Sequence, residues 1–250
     1  MKIILSPAKK MNIDTDSMAV LGLPVFVGRA EQLKEWIRSK SYPELKALWK
    51  CNDKIAEENF RRFQEMDLKK YLTPALLSYE GIAYQYMAPG IFTDRQWRYV
   101  GEHLRILSGF YGILRPQDGV TPYRLEMQAR AAVGGFKNLY EFWGRSLYEA
   151  LTEDAPGQLI INLASAEYSK CIEKYLADSD HYVTVVFGEW KDQKVIQKGT
   201  MAKMARGEMV RFLSANEITD TEGIKSFNGL GYHYEAGLGD ARTLVFIKEK

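Results

Sequence analysis

His103–Met127 reads HLRILSGFYGILRPQDGVTPYRLEM, and no other stretch of the chain is as dense in glycine, proline and arginine. An apolar run through Ile106 and Leu107 enters the series SGFYG, after which prolines and an Asp-Gly pair follow closely. Glycine permits positive φ angles and close backbone approach, whereas proline fixes φ and removes a hydrogen-bond donor. We therefore predict a specified, irregular path here and not a flexible loop.

Three arginines lie on this path, at Arg105, Arg115 and Arg124. A planar guanidinium on a rigid backbone suits the recognition of phosphate or carboxylate. Asp118 and Glu126 are close enough in sequence to orient these side chains. A second interpretation is that the arginines only tie a buried turn together through the two acids. The sequence leaves both interpretations open.

Composition excludes several classes of protein. With 250 residues and 46% hydrophobic content the chain can bury a substantial core, and its formal net charge of +2 is nearly neutral. Any anion site therefore needs cations gathered locally. Two cysteines and three histidines are scattered, so we expect no metal site and no cofactor. With no secretory leader and no apolar run of membrane-spanning length, we expect a cytoplasmic protein without membrane contact.

Hydrophobic periodicity predicts strands at the start, middle and end of the chain, with helices between them. The predicted strands are 1–5, 158–164, 182–187 followed by 195–196, and 242–248. We find no internal repeat, no low-complexity linker and no break in composition. The sequence therefore predicts one α/β (mixed) domain over residues 1–250, with a central mixed sheet surrounded by helices.

Local signals set several element boundaries. Capping-box patterns predict helix starts after Ser41, Thr93 and Thr219, where Glu or Gln follows three residues later. Residues 76–79, with the sequence LLSY, predict a short strand. Residues 138–151 predict one helix, which Pro156-Gly157 would end.

Two predicted strands lead directly into residues that suit an anion. Lys9 follows the first strand in the series SPAKK, and Ser165 follows the strand 158–164 at a helix start, with Lys170 one turn on. Another group of cations edges the apolar face of a later predicted helix, namely Lys203, Arg206 and Arg211. Each cation has a plainer interpretation as solvated surface charge, and the sequence does not separate the two.

The segment at about 42–65 resembles a degenerate helix-hairpin-helix DNA-binding motif. Laid over the usual core LPGIGPKTA, residues 48–56 read LWKCNDKIA, which keeps the first leucine, an apolar residue in the hairpin and the final alanine. Both glycines are replaced, by Lys50 and Asn52, and asparagine tolerates the left-handed region better than most residues. Lys50, Asn52 and Lys54 are therefore candidate phosphate contacts.

Enzyme motifs are absent from the sequence. There is no phosphate-binding P-loop, no dinucleotide-binding glycine series and no nucleophile elbow, so no catalytic residue is assigned. This favours binding of an anion over its transformation. The alternative is an enzyme acting on a phosphorylated or nucleotide substrate, in which Lys9, Ser165 and Arg124 meet at strand ends and Glu126 or His103 acts as base.

Several motifs occur together and in order along the chain. They are SPAK at 6–9, the whole of His103–Met127, LYEFWG at 139–144, INLAS at 161–165 with Glu167, Tyr168 and Lys170, Lys203 with ARG at 205–207, and Phe227-Asn228 with Gly231-Tyr232. On these motifs the chain resembles the YaaA family of bacterial peroxide-stress proteins over essentially its full length.

The resemblance implies protection from hydrogen peroxide by limiting free intracellular iron, and binding of double-stranded DNA in a positively charged cleft of a single α/β domain of unusual fold. It makes a set of residues candidates for the cleft wall, with His103–Met127 as its floor: Lys9, Arg105, Arg115, Arg124, Ser165, Lys170, Lys203, Arg206 and Arg211. The hairpin at Lys50–Lys54 would be a separate contact. We expect a monomer that holds phosphates with little base readout, so that affinity falls steeply with salt.

Overall fold

The structure is a computed structural model, and it describes residues 1–153, 157–192 and 194–249. Its strands are β1 (Lys2–Leu5), β2 (Lys10–Met11), β3 (Thr73–Pro74), β4 (Tyr79–Glu80), β5 (Leu104–Ser108), β6 (Gly112–Leu114), β7 (Gly119–Val120), β8 (Leu159–Leu163), β9 (His181–Lys191), β10 (Lys194–Ile196), β11 (Tyr232–Tyr234) and β12 (Thr243–Lys248).

The helices precede, separate and follow these strands. They are α1 (Val27–Arg38), α2 (Tyr42–Trp49), α3 (Asp53–Glu65), α4 (Ala75–Ser78), α5 (Ile82–Met87), α6 (Asp94–His103), α7 (Leu139–Trp143), α8 (Ser146–Thr152), α9 (Ala166–Glu173), α10 (Gly199–Asn216) and α11 (Thr221–Lys225). Short 3₁₀ turns occur at Pro89–Ile91, Gly229–Gly231 and Ala236–Leu238. Within the described ranges no helix is both long and apolar enough to cross a membrane.

The main sheet has eight strands, in the order β11-β12-β9-β8-β1-β5-β6, with β10 paired to β9. Strands β12, β9, β8, β1 and β5 run parallel, whereas β11 and β6 run antiparallel to their neighbours at the two ends. Two further pairs, β2 with β4 and β3 with β7, lie apart from it. A mixed sheet with helices confirms the predicted α/β class.

Between β1 and β8 the chain connections diverge towards opposite sides of the sheet. Strand β1 pairs with β5 on one side and with β8 on the other, so that Ile3 faces Leu104 and Ile161. The chain leaves β1 towards β5 but leaves β8 towards β9, in opposite directions across the sheet. Ligands of open α/β sheets bind outside the carboxyl ends of the strands at such a point. The residues that follow β1 and β8 therefore mark the edge where a site is expected.

The stretch His103–Met127 builds β5, β6 and the buried chain beyond them. Phe110, in the turn between the two strands, is fully buried and packs with its ring centroid 5.5 Å from that of Phe63. A Cβ atom on Gly109 would lie 2.4 Å from the carbonyl oxygen of Leu125. Only glycine lets the PYRLEM segment, residues 122–127, cross the turn so closely. The specified irregular path is confirmed.

Two of the three predicted capping boxes are confirmed. The backbone N–H of Ser41 donates to Glu44 Oε2 at 2.8 Å at the start of α2, and Thr93 caps α6. The third prediction was wrong by one residue, because Asp220 and not Thr219 caps α11 and accepts the N–H of Gly223 at 2.7 Å. The N-cap therefore lies one residue later than predicted, and the amide that it binds is that of Gly223 and not that of Glu222.

Two element predictions were wrong. Residues 76–79 fall mostly in the helical turn α4 and not in a strand, because a run of four residues is too short to define a period. The helix predicted over 138–151 is broken at Gly144, whose φ of 53° separates α7 from α8. Pro156, which was predicted to end that helix, lies outside the described residues.

Helices α2 and α3 are joined by the short turn 50–52. Lys50 adopts the left-handed region with φ of 47°, at a position where the motif has glycine. Asn52 caps α3 by accepting the N–H of Ile55 at 3.0 Å. The segment thus has a helix pair with a left-handed turn residue, and its action as a helix-hairpin-helix stays a prediction.

Candidate functional site

A pocket with a cavity volume of 390 Å³ opens at the carboxyl ends of β1 and β8. Its walls come from segments that are far apart in sequence, namely residues 5–10, 80–84, 123–126, four residues between 163 and 168, and Lys203 with Arg206 on α10. The pocket therefore lies where the direction of the chain connections predicts a ligand site.

Ser6 and Ser165 join the ends of the two central strands. The backbone N–H of Ser165 donates to Ser6 Oγ at 2.8 Å, and the Ser6 hydroxyl lies 3.2 Å from Ser165 Oγ. The Tyr84 hydroxyl donates to the Ser6 carbonyl oxygen at 3.0 Å. The N–H of Ser165, at the helix start that was predicted to suit an anion, is therefore already bonded to Ser6 within the protein.

The carboxylate of Glu126 is the centre of a charged group in the wall. Its Oε1 lies 3.1 Å from Lys9 Nζ and 3.0 Å from Arg124 Nη2. The side chains of Arg124 and Glu126 are 11% and 12% exposed, whereas that of Lys9 is 65% exposed. Arg124 and Glu126 therefore form a mostly buried pair, and Lys9 lies at the mouth.

Arg206 carries a charge in the pocket that the protein does not neutralise. Its Nε is buried and has no hydrogen-bond partner, and the guanidinium has no ion-pair partner among the described residues. Burial lowers its pKa. Lys203, one turn earlier on α10, is exposed and likewise unpaired within the described part of the chain. Such a cation pair suits an anion brought by a ligand.

A close approach of two helices places Arg206 at the pocket. Gly207 lies against α5, and a Cβ atom on it would lie 1.9 Å from the carbonyl oxygen of Ala83. Glycine at this position is therefore required for α10 to pack on α5, and the preceding residue then borders the cavity.

The pocket also contains carboxylates, so its lining carries both signs. Glu80 pairs with Lys10, and Glu126 pairs as described above. Glu167 accepts the N–H of Gln128 at 3.2 Å, and burial raises its pKa. Five cations and three carboxylates line the cavity in total.

Three buried tyrosines complete the walls, and the sequence analysis did not identify them as site residues. Tyr84, Tyr123 and Tyr168 line the cavity, and burial raises the pKa of each phenol, which stays protonated. The Tyr123 hydroxyl lies 2.6 Å from Ser108 Oγ and 2.8 Å from the Tyr79 hydroxyl. Two signals were available, since Tyr123 lies within PYRLEM and Tyr168 within the motif that follows INLAS, whereas Tyr84 belongs to no motif.

The structure brings some of the predicted residues together. Those that line this pocket are Lys9, Arg124, Ser165, Lys203 and Arg206. Lys50, Asn52 and Lys54 do not line this pocket. Burial raises the pKa of the Cys51 thiol between them, and the charges of Arg124 and Glu126 affect the same pKa to a smaller extent.

Arg105 and Arg115 lie at another edge of the sheet. Arg105 is near the start of the parallel strand β5, and Arg115 follows β6, which runs antiparallel to β5. Both border a separate pocket of 660 Å³ together with Asp118. Asp118 accepts the backbone N–H of Arg115 at 2.7 Å, and burial raises its pKa to about 6. Only residues 123–126 of the proposed cleft floor reach the first pocket.

Three other candidates lie outside the pocket. Lys170 places Nζ 4.1 Å from the ring centroid of Tyr140, and Arg211 lies further along α10. His103 Nδ1 lies 2.8 Å from the Met1 carbonyl oxygen, and burial lowers its pKa. His103 is therefore not placed to act as a base in this pocket. Within the described ranges no three His, Cys, Asp or Glu side chains are grouped as a metal site.

Comparison with known proteins gives full-length relatives. A model of the family described as peroxide stress protein YaaA matches residues 1–238. A UPF0246 protein of Agathobacter rectalis is 56% identical over 249 residues, which cover 100% of this chain and 99% of the relative. UPF0246 proteins of Desulfitobacterium hafniense and Pediococcus pentosaceus are 53% and 49% identical, over 99% and 100% of this chain and 98% and 99% of the relatives.

Proposed function

The chain belongs to the YaaA family of peroxide stress proteins, and on that premise we propose that it serves the peroxide response by binding double-stranded DNA at the mouth of the 390 Å³ pocket. The single observation that carries this proposal is the uncompensated charge of Arg206 and Lys203. A phosphate diester at the mouth is a natural counterion for such a pair, because it brings the negative charge that the protein does not supply there.

The duplex would lie across the mouth, since the cavity itself has the size of a small-molecule site. Lys9 and Lys203 are exposed there. Lys50 in the turn between α2 and α3 and Lys54 in the first turn of α3 are also exposed, and in this proposal they bind phosphates of the same duplex. Contacts of this type are made to phosphates and carry little sequence information.

A titration of duplex DNA by fluorescence anisotropy at several salt concentrations tests the proposal. Binding that rests on phosphate contacts loses affinity with a slope of about −0.9 in log K against log salt for each phosphate neutralised. We expect a slope of about −3 to −4 from the four lysines. Failure to bind duplex at low salt would overturn the proposal.

Limitation of free intracellular iron, which the family resemblance implies, is part of the same proposal. We place it downstream of DNA binding. Whole-cell measurement of free iron after peroxide exposure, in a deletion strain complemented with the wild-type chain or with Lys203→Glu, tests this order. Restoration of low iron by Lys203→Glu, despite its weakened duplex binding, would separate the two roles.

A second candidate function is an enzyme acting on a phosphorylated or nucleotide substrate. It is favoured by the convergence of Lys9, Arg124 and Ser165 with the carboxylate of Glu126 in one enclosed cavity. Glu126 would be the base. Incubation with nucleotides followed by product analysis tests it, and loss of turnover in Glu126→Gln would support it.

A further inference from the structure

Resting on the proposed DNA binding, we infer that the 390 Å³ pocket receives a single nucleobase that has left the stack of the bound strand. The cavity volume lies near the lower end of the range of small-molecule sites, about 300–1,000 Å³. One base with its sugar falls within this scale, whereas a duplex does not. Proteins that act on single bases extrude them from the helix into such enclosed pockets.

The charges of the lining match a base better than they match a phosphate. Glu126 is mostly buried and Glu167 is half-buried in the pocket wall. Their carboxylates would repel an anion that entered the pocket. A nucleobase is neutral and carries both donors and acceptors on its edge. Carboxylates accept hydrogen bonds from exocyclic amines, and a guanidinium donates in parallel to the acceptors of guanine.

Arg206 is the donor that such a base would satisfy. Its Nε is buried without a partner, and Arg124 Nε is buried without one as well. Unsatisfied buried donors are costly and are rare in folded proteins. The acceptors on a base edge would provide these two guanidinium groups with the hydrogen bonds that the protein does not supply.

Aromatic residues supply the remaining contacts. Tyr84, Tyr123 and Tyr168 are buried residues of the cavity wall. The rings of Tyr84 and Tyr123 also pack on neighbouring aromatic residues, so a base would contact the part of each ring that borders the cavity. The exposed Lys9 and Lys203 at the mouth would hold the phosphates on either side of the extruded nucleotide.

Affinity for paired and mismatched duplexes, measured in parallel by anisotropy, tests this inference. Extrusion is easiest for a base that is not paired, so a duplex with one mismatch should bind at least about tenfold more tightly than its fully paired counterpart. Arg206→Lys keeps the charge but removes the planar fork, and it should bring the ratio of mismatched to paired affinity down to about one. Equal affinities of the wild type for the two duplexes would overturn the inference and leave the proposed DNA binding intact. Absence of binding to either duplex would overturn both.

Photo-crosslinking gives a readout that does not depend on the folding of a variant. A 5-iodouracil placed at the mismatched position should crosslink to Tyr84, Tyr123 or Tyr168 of the wild-type protein. The same base in a paired duplex serves as the control and should crosslink less. Crosslinks confined to surface residues such as Lys203 or Lys54, with DNA binding retained, would contradict the pocket as the site of the base.

Discussion

Lys9 and Glu126 meet at the mouth of the pocket, with Nζ 3.1 Å from Oε1. Lys9 follows the first strand of the sheet, whereas Glu126 ends the irregular stretch that begins with β5. Their contact therefore brings the end of the first strand and the PYRLEM segment into one charged wall.

Replacement of Glu126 by glutamine should strengthen duplex binding. The change removes a carboxylate that pairs with Lys9 and Arg124, so both cations become available to phosphate. We expect about a threefold gain at low salt and a steeper salt slope, by about one phosphate. Anisotropy titrations measure both. Glu35→Gln on α1, which releases Arg38 outside the pocket, is the matched control, and an equal gain there would attribute the effect to net charge alone.

Replacement of Gly207 by alanine should destabilise the protein and disturb the pocket together. The added methyl group would lie 1.9 Å from the Ala83 carbonyl oxygen, so α10 must move away from α5. Overpacking of this kind costs about 1–3 kcal/mol, which urea denaturation would measure. Gly199→Ala, at the start of the same helix with open space around it, should be neutral or slightly stabilising. Similar behaviour of the two variants would show that the close approach is unimportant.

Asp118 should make stability depend on pH in a direction opposite to that of a salt-bridged acid. Burial raises the pKa of the Asp118 carboxyl from 3.8 to about 6 in the folded protein. Between these values the folded state holds a proton that the unfolded state loses, so the free energy of unfolding falls as pH rises through this window. Asp118→Asn removes this dependence. Its free energy of unfolding should exceed that of the wild type by an amount that grows between about pH 4 and pH 7 and reaches about 3 kcal/mol.

Urea denaturation of both proteins across this range measures the difference. The carbonyl oxygen of asparagine can still accept the N–H of Arg115, so the turn is expected to keep its shape. A difference in stability that stays constant with pH would contradict the raised pKa of Asp118.

Lys50→Gly should stabilise the turn between α2 and α3. Lys50 has a φ of 47°, and glycine adopts this region without the steric penalty that other residues have. We expect a gain of about 0.5–1 kcal/mol in the free energy of unfolding. Lys54→Gly, which removes the same charge from the first turn of α3, should instead lose a similar amount. A loss in both variants would contradict the conformational argument.

The sequence predicted best what local chemistry decides. The capping boxes at Ser41 and Thr93 act through residues three positions apart, and the strand at 158–164 is recognisable from its continuous apolar run. The prediction of a mixed sheet rested on predicted strands that alternate with predicted helices along the chain. Thr219 was displaced by Asp220 because both could cap the same helix.

The arrangement of the site depended on relations that the sequence does not encode locally. Arg105 and Arg115 lie away from Arg124 because β6 runs antiparallel to β5 and returns the chain to the opposite edge. Lys203 and Arg206 reach the pocket only because Gly207 allows α10 to approach α5. The three tyrosines come from three separate segments, and their meeting depends on the packing of the whole domain.

Charge reversal at the pocket mouth, compared with reversal at an exposed cation that does not line the pocket, tests the central claim most directly. Lys203 on α10 and Arg61 on α3 are both exposed cations, and of the two only Lys203 lines the pocket. In anisotropy titrations at low salt, Lys203→Glu should weaken duplex binding by about tenfold or more, and Arg61→Glu by no more than about twofold. Equal losses in the two variants would contradict the assignment of the DNA-binding surface to this pocket.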